Sequence, residues 1–280
     1  MNTGSDRHDR EAGSDGVTAH RPLVITRYPG GKWFLFGWIM GHLPRAARYV
    51  EGFAGSAMVL LNRIRAEEEI VIERNPDQAA LLRVIRDQPE DLIERLKPLR
   101  WDRLNFMDSR WLLEEGCYTD DLARAALVYT VRRQSFGGIG RSFSFMFERN
   151  QQRSWEQGLK RLKSISERLR GVRILEGSAL DILPKIDGPE TLFYLDPPYV
   201  RSVRAPSPLY GEYEMSDFDH RTLCSVVRRL EGKVALSGYP SPLYDELLGD
   251  WRRVTREAYA YARAGGGPRS KKTEALWMNF

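Results

Sequence analysis

The chain contains little cysteine and no long apolar run. Only 2 of its 280 residues are Cys, and neither Cys117 nor Cys224 has the Cys or His spacing of a disulfide framework or a zinc site. The longest apolar stretch, residues 33–43, contains His42 and is about half the roughly 20 residues that a membrane helix needs. We therefore expect a protein of the reducing cytoplasm that binds no metal and spans no membrane.

The first 21 residues lack an apolar segment. They mix Asp, Arg, Glu and His, so we predict a disordered tail at 1–21 and not a signal peptide. The whole sequence is 42% hydrophobic and 29% charged, which is typical of globular proteins. Its length is enough for one large domain or two small ones.

Positive charge exceeds negative charge only slightly, but it is concentrated. The net charge is +5, from 43 Lys and Arg against 38 Asp and Glu. Between residues 131 and 153 one acid, Glu148, stands among five arginines: Arg132, Arg133, Arg141, Arg149 and Arg153. Charge alone leaves two interpretations open, a solvated basic face and a surface that binds nucleic acid.

Short β-rich runs alternate with helical stretches along most of the chain. This alternation predicts a mostly parallel sheet with helices on both faces. The predicted strands are residues 49–53, 70–73, 172–176, 191–195 and 233–237, with two more near the C-terminus. Residues 56–66 are predicted to form a helix after the first strand, and Asn75-Pro76-Asp77 is predicted to begin another after the second.

Residues 99–170 interrupt this alternation. They contain helical stretches, a glycine-rich loop at 137–140, and then Phe143, Phe145 and Phe147 at the period of two that is typical of a strand. A last helix is predicted from one apolar stripe, formed by Trp155, Leu159, Leu162, Ile165 and Leu169. We interpret the region as an insertion into the α/β domain.

A predicted strand runs into small residues in the string Glu51-Gly52-Phe53-Ala54-Gly55-Ser56. Such a turn lets a ligand approach the backbone, and the helix after it presents unpaired amides. Similar turns also serve simply to pack a helix against a sheet, and this one is not the G-x-G-x-x-G fingerprint. Glu73, at the end of the next strand, favours a cofactor that contains a nucleoside, because an acid there can accept hydrogen bonds from both ribose hydroxyls.

The most specific string in the chain is Leu192-Phe193-Tyr194-Leu195-Asp196-Pro197-Pro198-Tyr199. Its apolar half predicts a buried strand that delivers an acid, two prolines and an aromatic ring to the ligand edge of the sheet. A proline-terminated strand with a turn acid and a packing tyrosine is the plain alternative. In the functional interpretation, Asp196 and the Pro197 carbonyl accept hydrogen bonds from an exocyclic aromatic amine, and Tyr199 stacks on a base swung out of its duplex.

Three strings occur in an order that resembles a known family: Tyr28-Pro29-Gly30-Gly31-Lys32, Glu51-Gly52-Phe53-Ala54-Gly55-Ser56 and Asp196-Pro197-Pro198-Tyr199. They resemble the S-adenosylmethionine-dependent DNA adenine-N6 methyltransferases of the Dam-like class, and the resemblance continues through 236–239 and 272–277. It implies a Rossmann-like α/β methyltransferase fold, with a mostly parallel central sheet flanked by helices. The catalytic domain would comprise 22–98 and 171–280, and the insertion at 99–170 would be a helical and loop region for target recognition.

The resemblance also implies roles for individual residues. Tyr28 and Lys32 would contact the methionine end of S-adenosyl-L-methionine and Glu73 its ribose, although Lys32 as an ordinary surface lysine stays open. The implied cofactor-binding residues are Tyr28, Lys32, Glu51, Phe53, Ala54, Gly55, Ser56, Glu73 and Asp196. The catalytic residues would be Asp196, Pro197, Pro198 and Tyr199. The candidate DNA contacts are Arg132, Arg133, Gly138, Arg141 and Arg149.

The chain departs from the family pattern at three positions. Gly52 stands where many relatives have proline, and Ala57 replaces the last glycine of the turn; both are small, so we expect binding to survive. Ser178 stands where relatives commonly have an acid that holds the cofactor's adenine amine. The Ser178 hydroxyl can accept the same hydrogen bond and Asp181 is one helical turn away, so both stay open.

The predicted function is transfer of a methyl group from S-adenosyl-L-methionine to the N6 amine of an adenine flipped out of double-stranded DNA, by a monomer that needs no metal. Two alternatives stay open, an RNA adenine or cytosine-N4 methyltransferase and a catalytically inactive relative that binds DNA. A nicotinamide oxidoreductase is disfavoured, because the dinucleotide fingerprint is incomplete.

Overall fold

The computed structural model describes residues 22–145, 148–204, 210–259 and 271–280. The predicted tail at 1–21 and Phe147 lie outside these residues. The strands are β1 (Arg48–Gly52), β2 (Glu68–Glu73), β3 (Arg173–Glu176), β4 (Thr191–Leu195), β5 (Lys233–Gly238), β6 (Arg252–Tyr259) and β7 (Lys271–Met278). The helices are α1 (Phe36–His42), α2 (Met58–Asn62), α3 (Pro76–Asp87), α4 (Pro89–Leu96), α5 (Arg103–Glu114), α6 (Asp121–Gln134), α7 (Glu148–Leu169), α8 (Ala179–Ile182), α9 (Asp217–Val227) and α10 (Pro242–Leu248).

The seven strands form one sheet in the order β3-β2-β1-β4-β5-β7-β6. Strands β1 to β5 are parallel, and β7 lies antiparallel between β5 and β6. Strand β4 is buried at every position, as expected where helices cover both faces of a parallel sheet. Each predicted strand of the sheet is present, so the predicted mixed α/β fold with a mostly parallel sheet is confirmed.

Two apolar cores lie on opposite faces of the sheet, because successive strand side chains point to opposite sides. Along β1, Tyr49 belongs to the first core and Val50 to the second. Residues of α1 to α4, α6 and α7 complete the first core, and residues of α8, α9 and α10 complete the second. Helices therefore cover both faces of the sheet.

Local signals explain where the first helices begin. The Asn75 side chain accepts hydrogen bonds from the backbone N–H groups of Asp77 and Gln78, so α3 begins as predicted. The helix predicted at 56–66 is wrong in its bounds, because α2 covers only Met58–Asn62. Ala57 has a left-handed backbone, with φ 49°, and a right-handed helix cannot begin before it.

The region 99–170 shares its core with the sheet. All five apolar residues of the predicted stripe on α7 are buried, which confirms that helix, and they belong to the first core together with residues of α6. Arg168 of α7 forms two short contacts with the carboxylate of Glu69, at 2.6 and 2.8 Å. Part of the positive charge after residue 153 therefore stabilises the fold itself.

The predicted short strand at Phe143 and Phe145 is wrong for the described residues. Phe143 forms one isolated antiparallel bridge with Ser135, and its ring packs against Trp101 and Phe106, with centroid distances of 6.1 and 5.8 Å. Because α6 continues to Gln134, no strand precedes the bridge to pair with it. The bridge closes a loop at residues 136–141, which we call the glycine loop.

Two further features concern the described residues only. Among them, no helix combines the length and the apolar character that crossing a bilayer requires. Nor do any three or more His, Cys, Asp or Glu side chains in these ranges group so that they could hold a metal ion.

Candidate active site

A cleft of about 300 Å³ opens at the carboxyl edge of the sheet. It lies where β1 and β4 neighbour each other and the strand order reverses, which is the usual ligand site of doubly wound sheets. The loops after β1, β2, β3 and β4 all contribute to its wall. Of the residues predicted to bind cofactor or to act in catalysis, those that line it are Tyr28, Phe53, Ala54, Gly55, Ser56, Glu73, Ser178, Asp196 and Pro198.

The turn after β1 is held in place by groups from β2 and α3. Gly55 N donates to Glu73 Oε2 over 2.7 Å, and the Gln78 side chain donates to Gly55 O over 2.6 Å. Phe53 and Ala57 both have a positive φ, 62° and 49°, so the backbone reverses tightly between them. No pattern in the sequence indicates that Gln78 supports the turn, because its contact depends on how α3 packs.

Glu73 is a buried carboxylate in the wall of the cleft. Besides Gly55, it accepts a hydrogen bond from Asn75 N over 2.8 Å. Burial raises the pKa of Glu73, and these backbone N–H groups oppose the shift. Each carboxylate oxygen has a second lone pair, so Glu73 can still accept hydrogen bonds from a ligand.

Tyr28 packs directly on the glycine turn. A Cβ atom at Gly55 would lie 2.9 Å from Tyr28 Cδ1, so only glycine leaves room for the ring. The Arg132 guanidinium lies 5.1 Å from the centre of the same ring. Burial raises the pKa of Tyr28, with a further contribution from the negative charge of Glu73.

Asp196 and Lys32 form an ion pair beside the cleft, in which Lys32 is buried and Asp196 is half-buried. Lys32 Nζ is 2.6 Å from Asp196 Oδ2 and donates to Gly30 O over 2.9 Å. The other carboxylate oxygen, Oδ1, is buried and accepts no hydrogen bond of normal geometry from the described residues. Burial raises the pKa of Asp196, and the ammonium group of Lys32 opposes this shift. The nearby hydroxyls of Tyr199 and Ser237 oppose it further.

Tyr199 is anchored by side chains of β5 and β7. Its hydroxyl donates to Glu274 Oε2 over 2.6 Å and lies 3.0 Å from Ser237 Oγ. The rings of Tyr199 and Tyr239 pack edge to face, with centroids 4.7 Å apart. Lys32 Nζ lies 4.9 Å from the centroid of the Tyr199 ring. The family resemblance includes the segments that contain Ser237 and Glu274, but it did not predict their contacts with Tyr199.

Several predicted site residues lie outside the wall of the cleft, among them Pro197 and Tyr199. Glu51 is buried and accepts hydrogen bonds from Leu60 N over 2.6 Å and from the Tyr49 hydroxyl over 3.1 Å, and burial raises its pKa to about 7. It therefore anchors α2 from within the protein. Asp181 is exposed, whereas Ser178 lines the cleft.

The five candidate DNA contacts lie in different surroundings. Arg132 and Arg141 line the cleft, whereas Arg133 donates to Ser154 O over 2.6 Å. Gly138 is buried against the backbone of Arg27. The side chain of Arg149 lies outside the described part of the chain.

A segment rich in aromatic residues, after β4, completes the cleft. Tyr210, Tyr213 and Met215 line it, and the Tyr210 hydroxyl donates to Pro29 O over 3.3 Å. None of these three residues was predicted as a site residue. The closely spaced aromatic residues after the Asp-Pro-Pro-Tyr string were the available signal.

The comparison with known families agrees with this geometry. The family described as D12 class N6 adenine-specific DNA methyltransferases matches residues 28–260, which is most of the chain. The chain belongs to this family. It is therefore a DNA N6-adenine methyltransferase, as the sequence predicted, and the family implies a methyl donor of the S-adenosylmethionine type.

Individual relatives of this methyltransferase are distant. It is 25% identical over 238 residues to the type II methyltransferase M.MjaIII of Methanocaldococcus jannaschii, covering 75% of this chain and 80% of that protein. It is 25% identical over 236 residues to a DNA adenine methylase of Serratia marcescens, covering 81% and 86%. A DNA adenine methylase of Salmonella typhi is 23% identical over 268 residues, which cover 90% and 94%.

Proposed function

We propose that the cleft binds S-adenosyl-L-methionine, and that Asp196 and the Pro197 carbonyl hold the N6 amine of an adenine rotated out of double-stranded DNA. One observation carries this proposal. Asp196 Oδ1 is buried and accepts no hydrogen bond of normal geometry from the described residues, while Oδ2 is held by Lys32. A buried acceptor without a donor is unfavourable, and the N–H group of a bound amine supplies the missing donor.

The residues around the cleft fit the proposed cofactor. A volume of about 300 Å³ lies within the range of small-molecule sites. Gly55 lets ligand atoms approach the backbone, and Glu73 retains lone pairs for the ribose hydroxyls. When bound, the cofactor supplies a methyl group that its sulfonium already activates.

We propose a role for Lys32 besides the cofactor contact that the family resemblance implied. It is paired with Asp196 and is not among the described residues that line the cleft. We therefore propose that Lys32 orients Asp196 and favours its ionised form, because an adjacent cation stabilises a carboxylate. Tyr28, which lines the cleft, keeps its proposed position at the methionine end.

Asp196 acts mainly by positioning the amine. The lone pair of an adenine amine is delocalised into the ring, and hydrogen bonds from both of its N–H groups, to Asp196 and to the Pro197 carbonyl, favour its redirection toward the methyl group. Holding the nucleophile in line supplies much of the acceleration. The amine becomes acidic only as the new bond forms, so the proton leaves late, to water, and Asp196 need not be a strong base.

We further propose that residues 99–170 form the target-recognition region, and that 22–98 with 171–280 form the catalytic domain. Arg141 is exposed and lines the cleft, at the end of the glycine loop. This position favours Arg141 as a contact to a base edge or a phosphate. The guanidinium of Arg133 is bonded to Ser154, which makes it a weaker candidate.

The test is the variant Asp196→Ala, with Asp91→Ala as the matched control at an exposed position outside the site. We expect Asp196→Ala to lower radiolabelled methyl transfer to duplex DNA by at least about a hundredfold, the usual effect of losing one preorganised group. Cofactor affinity, measured by calorimetry, should stay within about twofold, since the other cleft residues remain. Near-wild-type transfer by Asp196→Ala would refute the assigned role.

Further expectations stay predictions. They are a monomeric state, a cytoplasmic location and methyl transfer without a metal ion. Sedimentation and assays in the presence of a chelator would test the first and the last.

A further inference from the structure

Arg132 lies where the cleft meets the glycine loop. Its guanidinium is 5.1 Å from the centre of the Tyr28 ring. Its Nη1 donates to the carbonyl oxygens of Gly138 and Ile139, over 3.0 and 3.2 Å. One side chain therefore contacts both the cleft wall and the loop, and a planar guanidinium suits this because it can lie over an aromatic ring while its N–H groups donate in a fixed geometry.

Tyr28 extends this contact to the turn after β1. Its ring packs on Gly55, where a Cβ atom would lie 2.9 Å from the ring. Gly55 N is in turn bonded to Glu73. The contacts therefore run without a break from the proposed ribose site, through Tyr28 and Arg132, to the glycine loop.

The backbone provides a second contact between the same two regions. A Cβ atom at Gly138 would lie 2.2 Å from Arg27 O, so the loop rests directly on the residue before Tyr28. Ile139 and Arg141 also line the cleft. The glycine loop is thus part of the cleft wall, so a ligand in the cleft and DNA bound at the loop would act on the same contacts.

We propose that Arg132 is a positioning residue through which cofactor binding and DNA binding favour each other. This inference rests on the proposed function. A ligand that orders Tyr28 also orders Arg132 and the two loop carbonyls that it holds, so the second ligand binds a loop that is already ordered. Coupling between two sites typically amounts to a factor of about 5–150 and is reciprocal.

Arg133 is the matched control for this test. It is the next residue of α6, and it is half-buried like Arg132. Its guanidinium donates to Ser154 O and Oγ, and it is not among the described residues that line the cleft. Replacing Arg133 removes the same chemical group from the same helix without touching Tyr28 or the loop carbonyls.

The experiment measures DNA affinity with and without S-adenosylhomocysteine, the demethylated product, which would occupy the cofactor site without turnover. The probe is a fluorescent duplex that contains a sequence methylated by the wild type, and anisotropy gives the dissociation constants. For the wild type and Arg133→Met, we expect the product to tighten DNA binding at least about fivefold. For Arg132→Met, we expect the product to leave the dissociation constant for DNA nearly unchanged, a factor near one.

A second variant separates positioning from simple charge. Arg132→Lys keeps a positive charge for DNA but loses the planar guanidinium, so it should retain most of the DNA affinity and lose most of the coupling. If Arg132→Lys or Arg132→Met keeps the wild-type factor, Arg132 is not the link. A wild-type factor of one also overturns the inference, whereas a wild type that binds no S-adenosylhomocysteine and methylates no DNA contradicts the proposed function itself.

Discussion

Replacing Lys32 by Met removes the cation that pairs with Asp196. In the wild type, Nζ lies 2.6 Å from Oδ2, and the two side chains are 5% and 20% exposed. Met has a similar length and is flexible, so Lys32→Met leaves little new space. Its main effect is a carboxylate that has lost its neighbouring positive charge.

The size of this effect follows from the burial of the pair. Removing one partner of a buried ion pair costs about 3–5 kcal/mol, and the partial exposure of Asp196 favours the low end, about 3 kcal/mol. This cost applies while Asp196 stays ionised. Burial already raises the pKa of Asp196 against the opposing effect of Lys32, so the pKa rises further in the variant, which has lost that opposing charge.

The sign of the pH dependence follows from this raised pKa. A carboxyl group whose pKa is higher in the folded than in the unfolded chain favours folding at low pH. The loss of stability in Lys32→Met should therefore be small below about pH 3.9, the pKa of an unfolded Asp, and should grow as the pH rises through the folded pKa. Glu274, whose pKa burial raises and Lys32 lowers, should add to the effect in the same direction.

Urea unfolding at pH 5 and at pH 8 measures the difference. The control is Lys97→Met, because Lys97 pairs with Glu94 at the surface, with exposures of 64% and 68%, and such pairs contribute about 0–1 kcal/mol. Methyl transfer by Lys32→Met should also increase with pH as Asp196 ionises. An equal loss of stability at both pH values would show that Lys32 does not hold the ionised form of Asp196.

Three other predictions concern the loop, the adenine site and DNA. Gly138→Ala should lower the Tm more than Gly137→Ala, since both have positive φ but only the Cβ at 138 would meet Arg27 O, at 2.2 Å; equal Tm values would contradict this. Ser178→Ala should weaken cofactor binding by about two- to tenfold in calorimetry, the loss of one hydrogen bond, and Asp181→Ala should not; the reverse result would assign the adenine amine to Asp181. Raising salt from about 50 to 200 mM should weaken DNA binding about threefold per phosphate contact, and an affinity independent of salt would exclude the basic residues from the interface.

Local patterns in the sequence were enough for the fold class and the family. The apolar run of β4 is buried at every position, and the Asn75 cap begins α3, because strand burial and helix capping depend on residues that are close in sequence. The Asp-Pro-Pro-Tyr string directly follows β4, so its position at the carboxyl edge follows from a correct strand prediction.

Predictions failed where tertiary packing overrode the local pattern. The helix expected at 56–66 is shorter, because the turn at Ala57 has a left-handed backbone. The phenylalanines at 143 and 145 have the period of a strand, but the end of α6 leaves a single bridge at Ser135. In both places the neighbouring element, and not the residues themselves, determines the backbone.

The sequence by itself determined which chemical groups this methyltransferase has and in what order the elements carry them. Only the tertiary structure decided which of those groups meet. Arg132 and Arg133 are adjacent, yet a rotation of about 100° per helical residue directs one toward Tyr28 and the other toward Ser154. Contacts of this kind join segments that are far apart in the chain, and they depend on how helices and loops pack, so no local pattern of residues records them.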